Sequence, residues 1–179
     1  MQSLCRGSGE ALRDAKKDTA DPAQETFVLT NKVNGVSPRL RLHQGNETVS
    51  NFIRGYGVWQ RPITVFLIDY LKSGDTFVDV GANIGYFSVY AGLCVGEFGK
   101  VHAIEPGAEN AALLASNLER NGLSNARIHR MAVADFVGAA PFFVSDTNAG
   151  AHSLVKKAGL TDGLEVPVTT LSQLLANEP

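Results

Sequence analysis

An α/β protein with a doubly wound, mostly parallel sheet is predicted by three observations. The first is a strand, glycine turn and helix start at Thr76-Phe77-Val78-Asp79-Val80-Gly81-Ala82-Asn83-Ile84-Gly85-Tyr86-Phe87. The second is a repeat of that unit: Val101-His102-Ala103-Ile104, then Glu105, with Pro106 opening a helix over Ala111, Leu114, Ala115 and Leu118. The third is Arg127 to Val133, a further strand reaching Ala134-Asp135. Strands alternating with helices imply right-handed crossovers and a Rossmann-like sheet, and ligands of such sheets lie beyond the carboxyl ends of the strands. Asp79, Glu105 and Asp135, each at a strand end, are expected to face one crevice.

Each element has a local reason. Phe77, Val78 and Val80 form the short apolar run of a strand covered on both faces, and Gly81 and Gly85 permit a tight turn with a ligand near the backbone. From Ile84 the apolar positions move to Phe87, Ala91 and Cys94, a helical spacing that Gly96 stops. Upstream, residues 1–25 carry few large apolar groups and are expected to be a mobile polar tail, with Arg13, Lys16 and Lys17 as solvated charges. Thr26–Thr30 and Arg39–His43 are expected strands of a small flap, joined through Asn34-Gly35 and Ser37-Pro38. Glu47 to Tyr56 is expected to be helical. Pro62 opens a second helix, with Ile63, Phe66, Leu67, Tyr70 and Leu71 expected to face inward until Ser73-Gly74-Asp75 ends it.

Downstream, Asn121-Gly122 closes the helix after Glu105. Ala140–Val144 and Leu164–Val168 are expected to pair as an added ribbon, and Thr170-Leu171-Ser172-Gln173 is a capping box that starts a last helix. The domain reading is therefore a tail at 1–25, a flap and helix at 26–72, and a partial Rossmann-like unit at 73–179. In a doubly wound sheet the first strand has neighbours on both sides, and no strand remains for its second side. The domain is read as stopping before its later strands, or as needing a second copy or another protein to cover that edge.

Composition narrows the functional classes. The chain has 179 residues, 44% of them hydrophobic, which allows one domain with a real core. A net charge of −2 gives no global basic field for nucleic acid. Cys5 and Cys94 form neither a disulfide framework nor a metal spacing, no histidine shows metal-ligand spacing, and no membrane span or signal-peptide stretch is present. A reducing, cytoplasmic setting is expected.

The glycine turn excludes two common ligands. A P-loop needs Gly-Lys-Ser/Thr after four intervening residues, and no lysine follows here. The dinucleotide fingerprint Gly-x-Gly-x-x-Gly would put its second and third glycines at Asn83 and Tyr86, which disfavours a nicotinamide cofactor. A ligand with adenosine, no phosphate and cationic groups suits the turn and Asp79, and S-adenosylmethionine fits that description. Glu105 lies 24 residues past Gly81, near the roughly 20-residue offset at which an acid accepts from a ribose diol; its alternative is a helix N-terminal charge. Asp79 either meets the ligand or forms the strand-end turn. Asp135 either bonds an adenine amino group or caps a loop. Asn83 is read as a turn residue that also lends an amide. His102 and His129 are read as packed or surface side chains. For proton removal from an acceptor the candidates are His43, Tyr56 and Asp146, each first a structural residue, so no catalytic residue is assigned. Tyr56 and Trp59 suit a lid or core packing equally.

Phe77 to Ser88, Ala103-Ile104-Glu105-Pro106, Asn117-Leu118, Asn121-Gly122-Leu123 and Ala132-Val133-Ala134-Asp135, in this order and spacing, resemble the FkbM-type S-adenosylmethionine-dependent methyltransferases. The resemblance covers roughly Glu47 to Leu175. It implies a class I methyltransferase fold, usually acting on an oxygen of sugars, polyketides or other natural products, so the partner expected is a small-molecule or glycan acceptor. By position it implies Asp79, Gly81, Ala82, Asn83, Gly85, Glu105, Pro106 and Asp135 as cofactor residues. Members continue into a strand with a Lys-Ile-Asp-Val-Glu-Gly-like segment, which these residues do not include. The rival functions are a nicotinamide-dependent oxidoreductase and a non-catalytic Rossmann-like binding domain.

Overall fold

In the computed structural model, residues 16–18, 26–29, 31–45, 47–145 and 148–176 are described. The central sheet has three parallel strands, β4 (Thr76–Val80), β5 (Lys100–Ile104) and β6 (Ala126–His129), in that order. Helix α3 (Tyr86–Val95) joins β4 to β5, and α4 (Ala108–Arg120) joins β5 to β6. Successive right-handed crossovers in one direction put both helices on the same face. That face carries Val101 and Ala103, fully buried in one core cluster with Val89, Ala91, Leu114 and Leu118. The unit is thus one half of the doubly wound α/β architecture. On the opposite face His102 and His129 stack, their rings 5.3 Å apart, with His102 Nδ1 3.1 Å from His129 Nε2, so both are packed side chains.

The flap is a separate antiparallel sheet of β1 (Lys16–Asp18), β2 (Thr26–Val28) and β3 (Arg39–Arg41). The strand at Lys16–Asp18 falls within the stretch expected to be a polar tail, and Thr30, at the end of the expected first strand, lies outside the described residues. Asn34 and Gly35 both take positive φ and turn the chain between Val33 and Val36, which suits these residue types. Helix α1 (Thr48–Tyr56) follows, its N-terminus capped by the Glu47 carboxylate, which accepts from Val49 N–H at 2.9 Å and Ser50 N–H at 2.7 Å.

Helix α2 (Arg61–Tyr70) begins with Pro62 in its first turn and packs on α3. Its inward face differs from expectation: Thr64, Leu67 and Ile68 are buried with the following Leu71, whereas Ile63, Phe66 and Tyr70 are exposed. Thr64 wins its place through its hydroxyl, which donates to the Trp59 carbonyl at 2.8 Å and lies 3.2 Å from the Tyr86 hydroxyl. Phe66 and Tyr70 stack on the outside, centroids 5.0 Å apart. Trp59 is half-buried against the core, while Tyr56 is 62% exposed and meets Phe52.

The expected third strand is cut in two. β6 ends at His129, Met131 N–H turns back to the His129 carbonyl, and Ala132–Val133 form β7 in another sheet. There β9 (Thr161–Thr169) lies between β7 and β8 (Gly138–Val144), antiparallel to β8 as the ribbon expectation held. The closing helix α5 (Leu171–Leu174) is capped by the Thr170 hydroxyl, accepting from Gln173 N–H at 3.1 Å. Among the described residues, no helix is long and apolar enough to cross a membrane.

Candidate functional site

The carboxyl ends of β4 and β5 come together at the glycine turn. Gly81 N–H and Ala82 N–H both donate to the Ile104 carbonyl, at 2.9 and 3.0 Å, which ties the turn to the end of β5. Gly81, Asn83 and Gly85 all have positive φ, so the residue types in this loop follow from its backbone. The two glycines serve different ends. A Cβ at Gly85 would lie 2.5 Å from Leu114 Cδ1, so Gly85 lets α4 pack against the loop. A Cβ at Gly81 would meet nothing within 4 Å, so Gly81 borders open space.

Glu105 is 4% exposed. Its Oε2 accepts from Asn83 N–H and its Oε1 from Gly107 N–H, each at 2.8 Å, and Asn110 Nδ2 approaches Oε1 at 3.5 Å. Burial pushes its pKa up, and the N–H groups of Gly107 and Asn83 pull against that. A carboxylate oxygen has two lone-pair directions, so Oε2, which accepts from Asn83 N–H, retains acceptor capacity for a ribose hydroxyl, while Oε1 is approached by both Gly107 N–H and Asn110 Nδ2. Pro106 does not open the helix: it lies in the link before it, and α4 starts at Ala108 after Gly107, because the Gly107 N–H is turned toward Glu105.

Asp79 is buried, with the Ser88 hydroxyl donating to its Oδ2 at 2.6 Å. Burial raises its pKa, and the Ser88 donors oppose the rise. Asn83 closes the turn through its own side chain, Oδ1 accepting from Ile84 N–H at 2.6 Å. Ala82 is buried beneath the turn. Asp135 is exposed, in the bend after β7 and six residues past the end of β6, where the chain has passed from the central sheet into the ribbon sheet. The structure therefore brings Asp79 and Glu105 to one turn, while Asp135 follows a strand of a different sheet from theirs.

Sequence reasoning missed two groups here. His152, at the end of the 3-10 turn η1 (Ala149–Ala151), lies by the turn after Glu105: its Cδ2 is 3.7 Å from where a Cβ of Gly107 would sit. Its Nδ1 accepts from Ser145 N–H at 3.0 Å. Burial lowers its pKa, with His43 adding to the shift and Glu109 and Glu47 opposing it. The other group is Asn110, buried on α4, whose Oδ1 lies 2.7 Å from His43 Nε2. Of the candidate bases, His43 is thus engaged with Asn110, Tyr56 projects from the end of α1, and Asp146 lies outside the described residues.

A parallel α/β unit with a positive-φ glycine turn and a buried acid at the next strand end defines a Rossmann-like nucleoside-binding domain. The chain belongs to the methyltransferase FkbM domain family, whose profile matches residues 79–179. The family is one of methyltransferases and its cofactor is S-adenosylmethionine. The loop fits it: no lysine stands where phosphates would need one, Gly81 leaves space, and Glu105 keeps acceptor capacity. Over 55 residues the chain is 46% identical to the probable cobalt-precorrin-6B C(15)-methyltransferase (decarboxylating) of Sulfolobus acidocaldarius, covering 31% of this chain and 29% of that protein. The same-named protein of Sulfurisphaera tokodaii is 44% identical over the same span. The chain thus matches under a third of the length of these curated relatives. Among solved structures, a SAM-dependent O-methyltransferase from Thermotoga maritima aligns at TM-score 0.38 and 24% identity, over 57% of this chain and 39% of that one. The tRNA m1G37 methyltransferase of M. jannaschii aligns at 0.40 and 17%, over 70% and 36%.

Proposed function

We propose that this chain forms the cofactor-binding part of an S-adenosylmethionine-dependent methyltransferase acting on a hydroxyl oxygen of a sugar, other glycan or natural-product acceptor in the cytoplasm. The observation that carries the reading is the Glu105 carboxylate, buried at the end of β5 and held on both oxygens by backbone N–H groups of the turns on either side. A ribose diol meeting that carboxylate is fixed in direction, because the carboxylate itself cannot rotate without breaking both bonds. The same negative charge repels a 2′-phosphate, which favours an unphosphorylated ribose.

The bound cofactor supplies a methyl group on a sulfonium, open to in-line displacement by an acceptor oxygen. The protein's share is positional. Glu105 orients the sugar, Gly81 leaves room for close approach to the backbone, and Gly85 lets Leu114 hold the turn still. Removal of the hydroxyl proton by a base within hydrogen-bond reach adds typically ~10²–10⁴-fold.

Calorimetry with S-adenosylhomocysteine, S-adenosylmethionine and NAD tests the cofactor reading. Binding of the first two is expected; NAD binding with no response to either sulfur ligand sinks it. Transfer of labelled methyl to a panel of hydroxyl and carbon acceptors tests the oxygen chemistry, and labelling confined to the carbon acceptors overturns that part alone.

A further inference from the structure

The connection from β8 to β9 folds back over both turns that hold the Glu105 carboxylate. On the Asn83 side sits Gly150 of η1: a Cβ there would lie 3.7 Å from Asn83 Nδ2 and 3.6 Å from Val49 Cγ2 of α1. On the Gly107 side sits His152: a Cβ at Gly107 would lie 2.9 Å from Glu105 Oε1 and 3.7 Å from His152 Cδ2, so carboxylate and imidazole border the same small space. The connection is pinned there by its own bonds. Phe143 and Ser153 exchange backbone hydrogen bonds of 2.8 and 2.9 Å, and Asn148 Oδ1 accepts from Gly150 N–H at 3.0 Å. The buried Phe142 ring meets the imidazole edge to face, centroids 5.5 Å apart.

The surroundings of the imidazole are fixed as well. Its titratable neighbours are His43 just past β3, Glu47 at the cap of α1 and Glu109 in the first turn of α4. The flap that carries His43 is fastened to α4 by side-chain amides. Asn121 Oδ1 accepts from Arg39 N–H at 2.8 Å and its Nδ2 donates to the Arg39 carbonyl at 2.7 Å. Asn117 repeats that pair on Arg41, at 2.6 and 3.0 Å, and also donates to the Ile84 carbonyl at 2.7 Å. Flap, α4 and glycine loop are thereby tied together beside His152.

One ring nitrogen of His152 is committed. Nδ1 accepts from Ser145 N–H at 3.0 Å, which places the proton of the neutral ring on Nε2. Burial lowers the pKa of the ring and so keeps it neutral near pH 7. Nε2 is bonded to Cδ2, so its N–H lies on the ring flank that borders Gly107, and among the described residues no protein acceptor meets it. We propose that His152 is a cofactor-binding residue whose Nε2–H donates to adenine N3 of the bound S-adenosyl ligand, so that the β8–β9 connection reads the base while Glu105 holds the sugar. The proposal rests on Glu105 being the ribose acceptor. N3 is the ring nitrogen on the ribose side of adenine. A nucleoside whose sugar is held at Glu105 therefore brings N3, rather than N1 or the amino group, to a donor bordering the same carboxylate.

The test is calorimetric titration of the full chain with S-adenosylhomocysteine and with its 3-deaza analogue, in which a C–H replaces N3. The wild-type chain is expected to bind the first about three- to tenfold more tightly, the worth of one hydrogen bond. His152→Asn keeps an oxygen for Ser145 N–H and carries no group at the position of Nε2. It is expected to lose that same factor for S-adenosylhomocysteine and nothing for the analogue. Should His152→Asn unfold, His152→Phe, which keeps a ring against Phe142, carries the same comparison. Equal wild-type affinity for the two ligands overturns the role of His152, and so does a variant that weakens both ligands alike, since that is the mark of a purely structural side chain. A wild-type chain that binds no S-adenosylhomocysteine overturns the cofactor reading and the role of His152 together; wild-type binding without preference overturns the role of His152 alone.

Discussion

Replacing Glu105 separates the clamp its geometry shows from the ribose binding proposed for it. The carboxylate accepts from Asn83 N–H and Gly107 N–H at 2.8 Å, in a position 4% exposed. In Glu105→Ala both donors lose their acceptor, at about 1–3 kcal/mol each where water cannot enter. Removing a buried carboxylate whose pKa is pushed up by burial offsets part of this. A net loss of about 1–3 kcal/mol of stability is therefore expected, read as a lower urea midpoint with unchanged slope. On the ligand side, one or two charge-assisted bonds to the ribose vanish, each worth about 1.5–3 kcal/mol, so the dissociation constant for S-adenosylhomocysteine rises at least about tenfold. Glu105→Gln is the sharper probe: it keeps one acceptor oxygen but turns an NH2 toward one of the two backbone donors. Affinity should fall in both variants. A lowered urea midpoint with an unchanged dissociation constant refutes the ribose assignment and leaves Glu105 as a clamp between the two turns.

The two loop glycines should part company. Gly85→Ala, with φ at +85° and Leu114 Cδ1 2.5 Å from the new Cβ, is expected to cost about 2–4 kcal/mol of stability in a urea melt, whereas Gly81→Ala costs about 1 kcal/mol and shows its effect in ligand calorimetry. Asn117→Ala removes three hydrogen bonds at a fully buried site and should cost about 2–4 kcal/mol; the half-buried Asn121→Ala should cost clearly less, by the same melts. For His152, burial lowers the folded pKa below the ordinary 6.5. The unfolded chain then binds the proton more readily, so the stability is whole above about pH 6.5 and is lost as pH falls toward the depressed folded value. His152→Asn, which keeps an acceptor for Ser145 N–H, should flatten that part of the stability profile in urea melts across pH 5–7.

How much could be read from the sequence depended on whether the information was local. The turn from Asp79 to Gly85 announces itself because glycines and an asparagine are the residues that positive φ selects, and the acid at Glu105 follows from the repeated strand and helix pattern. The inward face of α2 was not legible, because Ile63, Phe66 and Tyr70 give one apolar stripe and Leu67, Ile68 and Leu71 another; a single threonine hydroxyl bonded to Trp59 selects between them. Arg127 to Val133 has unbroken strand character, so nothing local reveals the turn at Met131 that takes the chain from the central sheet to the ribbon sheet before Asp135. The partners of Asn110 and Asn117 on the flap are 67 and 76 residues distant, and a helical asparagine read alone is only a polar residue.

What α4 grips at positions 39 and 41 is main chain: the amide hydrogen and carbonyl that nearly any residue presents there. The fastening is indifferent to side-chain chemistry, so those two arginines can be exchanged for other residues without untying the strand, and proline, which lacks the hydrogen, is the substitution it refuses. Being uncharged on both sides, the attachment also has no Coulombic pull for salt to screen. Raising ionic strength should leave the flap seated.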